Sequence, residues 1–286
     1  MPAAIIDGKK IAATIRESLQ NEVQELRQRG IEPCLAAVLV GDDPASHKYV
    51  AAKERTCTQL GMRGIVHRLS AGTTQAELRQ LVEELNADRS VHGILVQLPL
   101  PRGLDAKEIM HLISPEKDVD GFGPASLGDL MLDVPGFLPC TPHGVMKIFD
   151  HCGVELAGKQ AVVVGRSIIV GKPLALLLLQ RNATVTICHS KTADLAAVCR
   201  TADILCVAAG RVGLVTADMV KPGAVVIDIG TNVTAEGKLI GDVDFAVREQ
   251  ASMITPVPGG VGPLTIAMLM HNTMRAAKLQ CVAGQV

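Results

Sequence analysis

A chain of 286 residues with 48% hydrophobic content has room for two domains of ordinary size, each with a substantial core. Its formal net charge of -1 gives no basic bias toward nucleic acid, and no apolar run reaches membrane-span length, because Arg166 and Lys172 interrupt the longest candidate. The eight cysteines are irregularly spaced; without C-x-x-C, H-E-x-x-H or a Cys/His cluster they predict neither a disulfide framework nor a metal site.

The chain begins Met-Pro-Ala-Ala-Ile-Ile-Asp, with no basic region ahead of an apolar core. No signal peptide is expected, and the cytoplasm is the expected compartment. Ile11, Ile15, Leu19, Val23 and Leu26 recur at helical spacing up to Gly30. Leu35 to Val40 reads as a buried strand. Gly41-Asp-Asp-Pro-Ala-Ser46 then supplies a turn and an N-cap for a helix through about Leu60. Ile65 to Leu69 is a second strand, Thr74-Gln-Ala-Glu77 a capping box opening a helix to about Asn86, and Gly93 to Leu98 a third strand stopped by Pro99-Leu-Pro101. A short helix follows near Asp105 to Ile113, and Ser114 to Gly123 reads as a boundary loop. Thr141-Pro142 starts the next helix in the preferred N-cap and N1 order. Later strands are Ala161 to Val164, Ala183 to Cys188, Ile204 to Val207, Ala224 to Ile229 and a short one at Ser252 to Thr255, before a final helix from Leu264 to Lys278. Strand and helix in alternation predict parallel sheets covered on both faces, in two α/β domains with a cleft between them as the expected site.

One stretch organises the second half. In Ala161-Val-Val-Val-Gly165-Arg-Ser-Ile-Ile-Val-Gly171-Lys-Pro173 a β-branched run ends at a glycine, and a second glycine opens a leucine-rich segment. That is a buried strand turning tightly into a helix, whose N-terminus is suited to a pyrophosphate. Pro173 falls in the first turn, where a missing N–H is tolerated. The usual G-x-G-x-x-G spacing is absent, so the turn taken alone is equally a plain strand–helix connection. The next strand ends in His189-Ser190-Lys191, without the acid that would hold a ribose 2′-hydroxyl. Arg166, Ser190 and Lys191 are donors suited to a 2′-phosphate, which favours NADP over NAD.

Five motifs occur in order: Gly41-Asp-Asp-Pro-Ala-Ser-His-Lys-Tyr49-Val-Ala-Ala-Lys53, Gly93-Ile-Leu-Val-Gln97-Leu-Pro-Leu-Pro101, Lys117-Asp-Val-Asp120-Gly, Gly165-Arg-Ser-Ile-Ile-Val-Gly-Lys-Pro173 and Thr255-Pro-Val-Pro-Gly-Gly-Val-Gly-Pro-Leu-Thr265. Together, over nearly the full chain, they resemble the bifunctional methylenetetrahydrofolate dehydrogenase/cyclohydrolase family, the bacterial FolD proteins. The resemblance implies NADP-dependent oxidation of 5,10-methylenetetrahydrofolate to 5,10-methenyltetrahydrofolate, then hydrolysis to 10-formyltetrahydrofolate. It implies a catalytic, folate-binding domain over 1–120, a Rossmann-type NADP domain over 121–263, and a C-terminal helix in 264–286 packing back on the first.

By the same resemblance Lys53 is the key catalytic residue, Tyr49 lines the folate site, Gln97 supports the lysine and Asp120 anchors the pterin. Leu98, Pro99 and the loop with Pro258, Gly259 and Gly260 are expected at the substrate. Cofactor contacts are expected from Gly165, Arg166, Ser167, Ile169, Val170, Gly171 and Pro173. His189 and Ser190, Ala209 and Gly210, and Ile229 and Thr231 are expected to add others from the ends of the following strands. Homodimers through the cofactor domain are implied as well. Departures are small: Ile168 stands where many relatives carry a polar or basic residue, and Leu264 replaces a common Met.

The residues suit that chemistry. Tyr49 and Lys53, four apart, share a helix face. Lysine can shuttle a proton if its pKa is lowered by desolvation or by a neighbouring cation, which the methenyl substrate itself could supply. Gln97 cannot take a proton and suits an orienting role, while a carboxylate at Asp120 can accept two hydrogen bonds from a pterin. Singly, each has a plainer reading: a solvated Lys, a rim Tyr, a loop-capping Gln, a turn Asp. The order of all five motifs favours function for these four, and leaves Asp118 as a turn residue. The alternatives are a dehydrogenase lacking the second activity, a non-catalytic NADP-binding sensor, and, on architecture alone, a shikimate-type dehydrogenase.

Overall fold

The computed structural model describes residues 2–234 and 236–283. The chain divides into two compact units: the segment ending at Ala13 with Thr141–Thr265, and Thr14–Cys140 with the segment beginning at Ile266.

The unit containing Thr14–Cys140 has a three-stranded parallel sheet. Cys34–Val40 lies in the centre, flanked by Arg63–Leu69 and Gly93–Val96. Every residue of the central strand is buried, as an unbroken apolar run predicts for a strand covered on both faces. Pro44–Leu60, Gln75–Ala87 and Ala106–Leu112 supply helices. Their starts are read directly from sequence: Asp43 accepts from the Ser46 amide at 2.7 Å, with Pro44 in the first turn, and Thr74 with Glu77 forms the expected capping box. The sheet and helix cores meet through Val38, Leu78, Val82, Ile94 and Ile109.

Loop order in this unit depends on two buried polar residues. Lys117 is 4% exposed and donates from Nζ to the Leu85, Asn86 and Asp88 carbonyls at 2.9, 2.8 and 2.7 Å, closing the C-terminus of the Gln75–Ala87 helix. Asp118 accepts from the Gly123 amide at 2.8 Å and the Ser126 hydroxyl at 2.6 Å, so it is the turn residue the sequence suggests. It holds the start of a helix at Pro124–Met131, where the sequence reading has only a loop and the chain before Thr141.

The other unit contains a six-stranded sheet in the spatial order Ala4–Ile5, Met253–Ile254, Val225–Asp228, Ile204–Val207, Gln160–Val164, Thr184–Cys188, all parallel. From Gln160–Val164 onward, the chain adds Thr184–Cys188 on one side and Ile204–Val207, Val225–Asp228 and Met253–Ile254 on the other, where the N-terminal Ala4–Ile5 forms the edge. The strand order therefore reverses beside Gln160–Val164, and the carboxyl end of such a strand is where doubly wound sheets bind ligands. The core includes Val162, Val164, Leu205, Val207 and Val226. The edge strand at Ala4–Ile5 is too short for any periodicity to reveal. The antiparallel pair Asn232–Val233 with Leu239–Ile240 and the short helix Leu195–Cys199 are likewise absent from the sequence reading. No helix among the described residues is long and apolar enough to cross a membrane. All eight cysteines are free, and the described residues contain no His/Cys/Asp/Glu group able to hold a metal.

Candidate active site and dinucleotide pocket

Within the unit containing Thr14–Cys140, Tyr49 and Lys53 lie one turn apart on Pro44–Leu60. Tyr49 is 36% exposed, while Lys53 is half-buried. Gln97 follows directly on the Gly93–Val96 strand, and its amide still joins the ladder by donating to the Val38 carbonyl at 2.9 Å. Its side chain is fixed at both ends. Nε2 donates to the Leu98 carbonyl at 2.7 Å, and Oε1 accepts from Lys53 Nζ at 2.9 Å. The amide orientation is thereby set: the oxygen faces the ammonium because the nitrogen is engaged elsewhere. Pro99 follows through a cis Leu98–Pro99 peptide.

Asp120 enters the same site from the loop after Lys117. The loop is held from behind: Asn272 Nδ2 donates to the Val119 and Leu138 carbonyls at 2.8 and 3.0 Å, and the Cys140 thiol donates to Val119 at 3.3 Å. Gly121 has φ +75, and a Cβ there would sit 2.7 Å from the Pro139 nitrogen, so the turn after Asp120 admits only glycine.

The electrostatics follow from partial burial. Lost hydration depresses the Lys53 pKa, with the Asp120 charge and the Cys140 group opposing. Burial pushes Asp120 up to about 6, against the pull of Lys53 and with Asp118 adding to the rise. Burial also raises the Cys140 thiol, with Asp120 adding to it, so Cys140 is held as a neutral donor beside the carboxylate. Lys53 and Asp120 feel each other's charge without the direct ion pair that would consume both. The arrangement presents an amine whose pKa burial lowers, an amide oxygen held against it, and a carboxylate with acceptor capacity to spare. Cys140 and Asn272 are missing from the sequence reading, because a lone Cys at the start of the Cys140–Cys152 helix and an Asn inside an apolar helix carry no pattern.

In the unit containing Thr141–Thr265, a pocket of about 440 Å³ is lined by Gly165, Arg166, Ser167, His189, Ser190, Ala209 and Arg211 among others. It opens at the carboxyl ends of Gln160–Val164, Thr184–Cys188 and Ile204–Val207, beside the point of strand-order reversal. Gly165 has φ +131, and a Cβ on it would overlap the Ala208 carbonyl; a Cβ on Gly171 would overlap the Gly165 carbonyl. The two glycines thus fold the turn on itself without the usual third. Ser167 Oγ accepts from the Val170 and Gly171 amides at 3.1 and 3.3 Å and closes it. Ile169 and Val170 complete the turn, and Pro173 is buried in the first turn of Gly171–Gln180.

Around the rim, the His189 amide donates to Thr192 Oγ1 at 2.9 Å, and His189 Nδ1 accepts from the Lys191 amide at 3.1 Å. Ala209 and Gly210 follow Ile204–Val207, and Ile229 and Thr231 follow Val225–Asp228. The exposed Arg166 guanidinium, tight backbone approach and free volume fit a phosphorylated dinucleotide. Pro258, Gly259 and Gly260 form a tight turn in this unit: the Gly260 amide donates to the Pro256 carbonyl at 2.9 Å, and Gly8 packs on the Gly260 carbonyl.

Comparison with known proteins places the chain in a family. The profile "Tetrahydrofolate dehydrogenase/cyclohydrolase, catalytic domain" matches residues 6–120, and "Tetrahydrofolate dehydrogenase/cyclohydrolase, NAD(P)-binding domain" matches residues 139–281. The bifunctional protein FolD of Thermodesulfovibrio yellowstonii is 57% identical over 281 residues, covering 98% of each chain. The crystal structure of the bifunctional FolD enzyme of Campylobacter jejuni matches with a TM-score of 0.95 at 50% identity, over 97% of this chain and 99% of that one. The Trypanosoma brucei FolD structure, complexed with NADP cofactor and inhibitor, matches with a TM-score of 0.95 at 40% identity, over 98% and 99%. The chain belongs to the tetrahydrofolate dehydrogenase/cyclohydrolase family and is a bifunctional enzyme of folate one-carbon chemistry with an NADP-binding domain.

Proposed function

We propose that Lys53, Gln97, Asp120 and Tyr49 carry both steps: oxidation of 5,10-methylenetetrahydrofolate to the methenyl cation, and its hydrolysis to 10-formyltetrahydrofolate. The observation that carries this is the 2.9 Å contact from Lys53 Nζ to Gln97 Oε1, in a site where burial already depresses the lysine. Asp120 accepts the pterin's amino and ring N–H donors, and the exposed Tyr49 ring lies against the flat ligand. NADP, when bound, supplies the hydride acceptor for the oxidation. The chain's own part in that step is placement.

Hydrolysis asks more of the side chains. As water adds to the methenyl carbon, the neutral Lys53 amine takes one of its protons. Gln97 holds the resulting ammonium in place. When the C–N bond breaks, Lys53 returns that proton to the departing ring nitrogen, and the remaining hydroxyl proton leaves to solvent as the formyl carbonyl forms.

Arg166, Ser190 and the Gly165–Gly171 turn are assigned to NADP, with Ser167, Ile169, Val170, Pro173, His189, Ala209, Gly210, Ile229 and Thr231 around it. Leu98, Pro99, Pro258, Gly259 and Gly260 are assigned to substrate. Folate chemistry belongs to the unit containing Lys53 and cofactor binding to the unit containing Gly165. Homodimerisation through the latter is supported by the open edge at Thr184–Cys188, where Ile187 is 41% exposed. A cytoplasmic setting is supported by eight unpaired cysteines.

The test is an assay with methylenetetrahydrofolate and either NADP or NAD, following reduced cofactor and the methenyl chromophore separately. NADP-dependent turnover without methenyl accumulation supports the reading, and Lys53→Met should abolish hydrolysis while retaining NADP binding. Methenyl accumulation in the wild type, or normal hydrolysis by Lys53→Met, refutes the role given to Lys53.

A further inference from the structure

Asp242 lies in the NADP-binding unit, is fully buried, and belongs to none of the five motifs. Its carboxylate is filled by four donors. Oδ2 accepts from the Ala209 and Gly210 amides at 2.6 and 2.8 Å, and Oδ1 accepts from the Arg211 amide and Asn232 Nδ2, both at 2.8 Å. Three of these are consecutive backbone amides, and Ala209 and Arg211 line the dinucleotide pocket. A run of aligned N–H groups of this kind is an anion-binding nest, here occupied by the protein's own carboxylate.

Asp242 is itself held from the neighbouring strand end. Asp228 Oδ1 accepts from the Asp242 amide at 3.0 Å and Oδ2 from the Val243 amide at 3.1 Å. The clamp therefore joins the end of Val225–Asp228 to the loop after Ile204–Val207, two strands that pair in the sheet.

We propose that Asp242 is the positioning residue for the Ala209–Arg211 wall of the NADP pocket, setting cofactor affinity without touching the cofactor. The proposal rests on the assignment of NADP to that pocket. Without the carboxylate, three amides lose their common anchor, and the wall that carries the Arg211 side chain is free to shift. A carboxamide cannot substitute. Whichever way the side chain introduced by Asp242→Asn were turned, its NH2 would face two N–H donors.

The test measures NADP affinity by calorimetry, and kcat and KM for NADP, on the full chain well below each variant's melting temperature. Asp242→Asn is expected to weaken NADP binding roughly tenfold or more and to raise its KM, with kcat at saturating cofactor within about threefold of wild type. Asn232→Ala, which removes one restraint on Asp242, is expected to weaken binding by about threefold, and it decides the matter should Asp242→Asn fail to fold. Asp203→Asn is the structural control. Asp203 accepts from the Gln160 amide and Lys221 at the amino ends of the same strands, and its variant should lose thermal stability with NADP affinity unchanged. Folded Asp242→Asn and Asn232→Ala with wild-type affinity would overturn the proposal. Arg166→Ala separates it from the pocket assignment: undiminished NADP binding in that variant would move the cofactor elsewhere, whereas weakened binding there with an unaffected Asp242→Asn would refute the clamp alone.

Discussion

Gln97→Ala tests the hydrolytic role proposed for Lys53, at the contact that holds its ammonium. The substitution removes the oxygen that accepts from Lys53 Nζ at 2.9 Å and leaves the Leu98 carbonyl without its side-chain donor. A hydrogen bond to a charged group is worth about 1.5–3 kcal/mol, so hydrolysis should slow by roughly 10- to 150-fold. The pH profile should move as well. Gln97 Oε1 stabilises the ammonium form, and burial already depresses the lysine; without the acceptor the pKa falls further, and the limb that rises as Lys53 deprotonates shifts to lower pH. Oxidation needs only placement and should fall by less than about tenfold. The assay follows decay of the methenyl chromophore across pH without cofactor, and reduced-cofactor formation separately. A variant that hydrolyses the methenyl substrate within about twofold of wild type, with an unmoved limb, would refute the orienting role.

Asp120 should make folate binding pH-dependent. With its pKa at about 6, the carboxylate is an acceptor above that value and becomes protonated below it, so folate KM rises as pH falls through 6. Asp120→Asn should show a high KM that stays flat over the same range. Lys117→Met strips three backbone carbonyls of one charged donor and should cost roughly 3 kcal/mol, read from the urea midpoint. Gly93→Ala would place a Cβ 2.7 Å from Val119 Cγ1. It should lower stability by about 1–3 kcal/mol and, by displacing the neighbour of Asp120, raise folate KM in steady-state assays.

Strong local signals made most of the fold legible. Asp43-Pro44 and Thr74-Gln-Ala-Glu77 are caps whose partners lie three residues away, so the sequence contains both halves of the interaction. The buried strands could be read because an apolar run of that length has few other uses. Elements supported only from outside themselves could not. The Ala4–Ile5 strand exists by pairing with Met253–Ile254, nearly 250 residues away, and the Pro124–Met131 helix starts where Asp118 holds the Gly123 amide. Residues that act through other residues were hidden for the same reason. Asn272 reaches Val119 across 153 positions and Asp242 reaches Ala209 across 33, and no local pattern records either contact.

Hydrogen-bond accounting separates the carboxylates filled by the chain itself from the one left open. Asp118 and Asp242 have their oxygens filled by amides, hydroxyls and amide side chains of the chain itself. Asp228 accepts three amides and is still pushed up to about 6, because burial outweighs them. Asp120 reaches a similar value by the same desolvation, yet accepts no backbone amide among the described residues; its neighbours are the Cys140 thiol and the Lys53 charge. An enclosed carboxylate with unused acceptors is costly unless a ligand completes it. Lys53 and Asp120 interact electrostatically but form no direct ion pair. A closed pair would satisfy the two charges at the expense of the free acceptors and the free amine that the proposed folate and proton-transfer roles require. Gln97 resolves the conflict by holding the lysine with a neutral oxygen, which orients the ammonium without neutralising it.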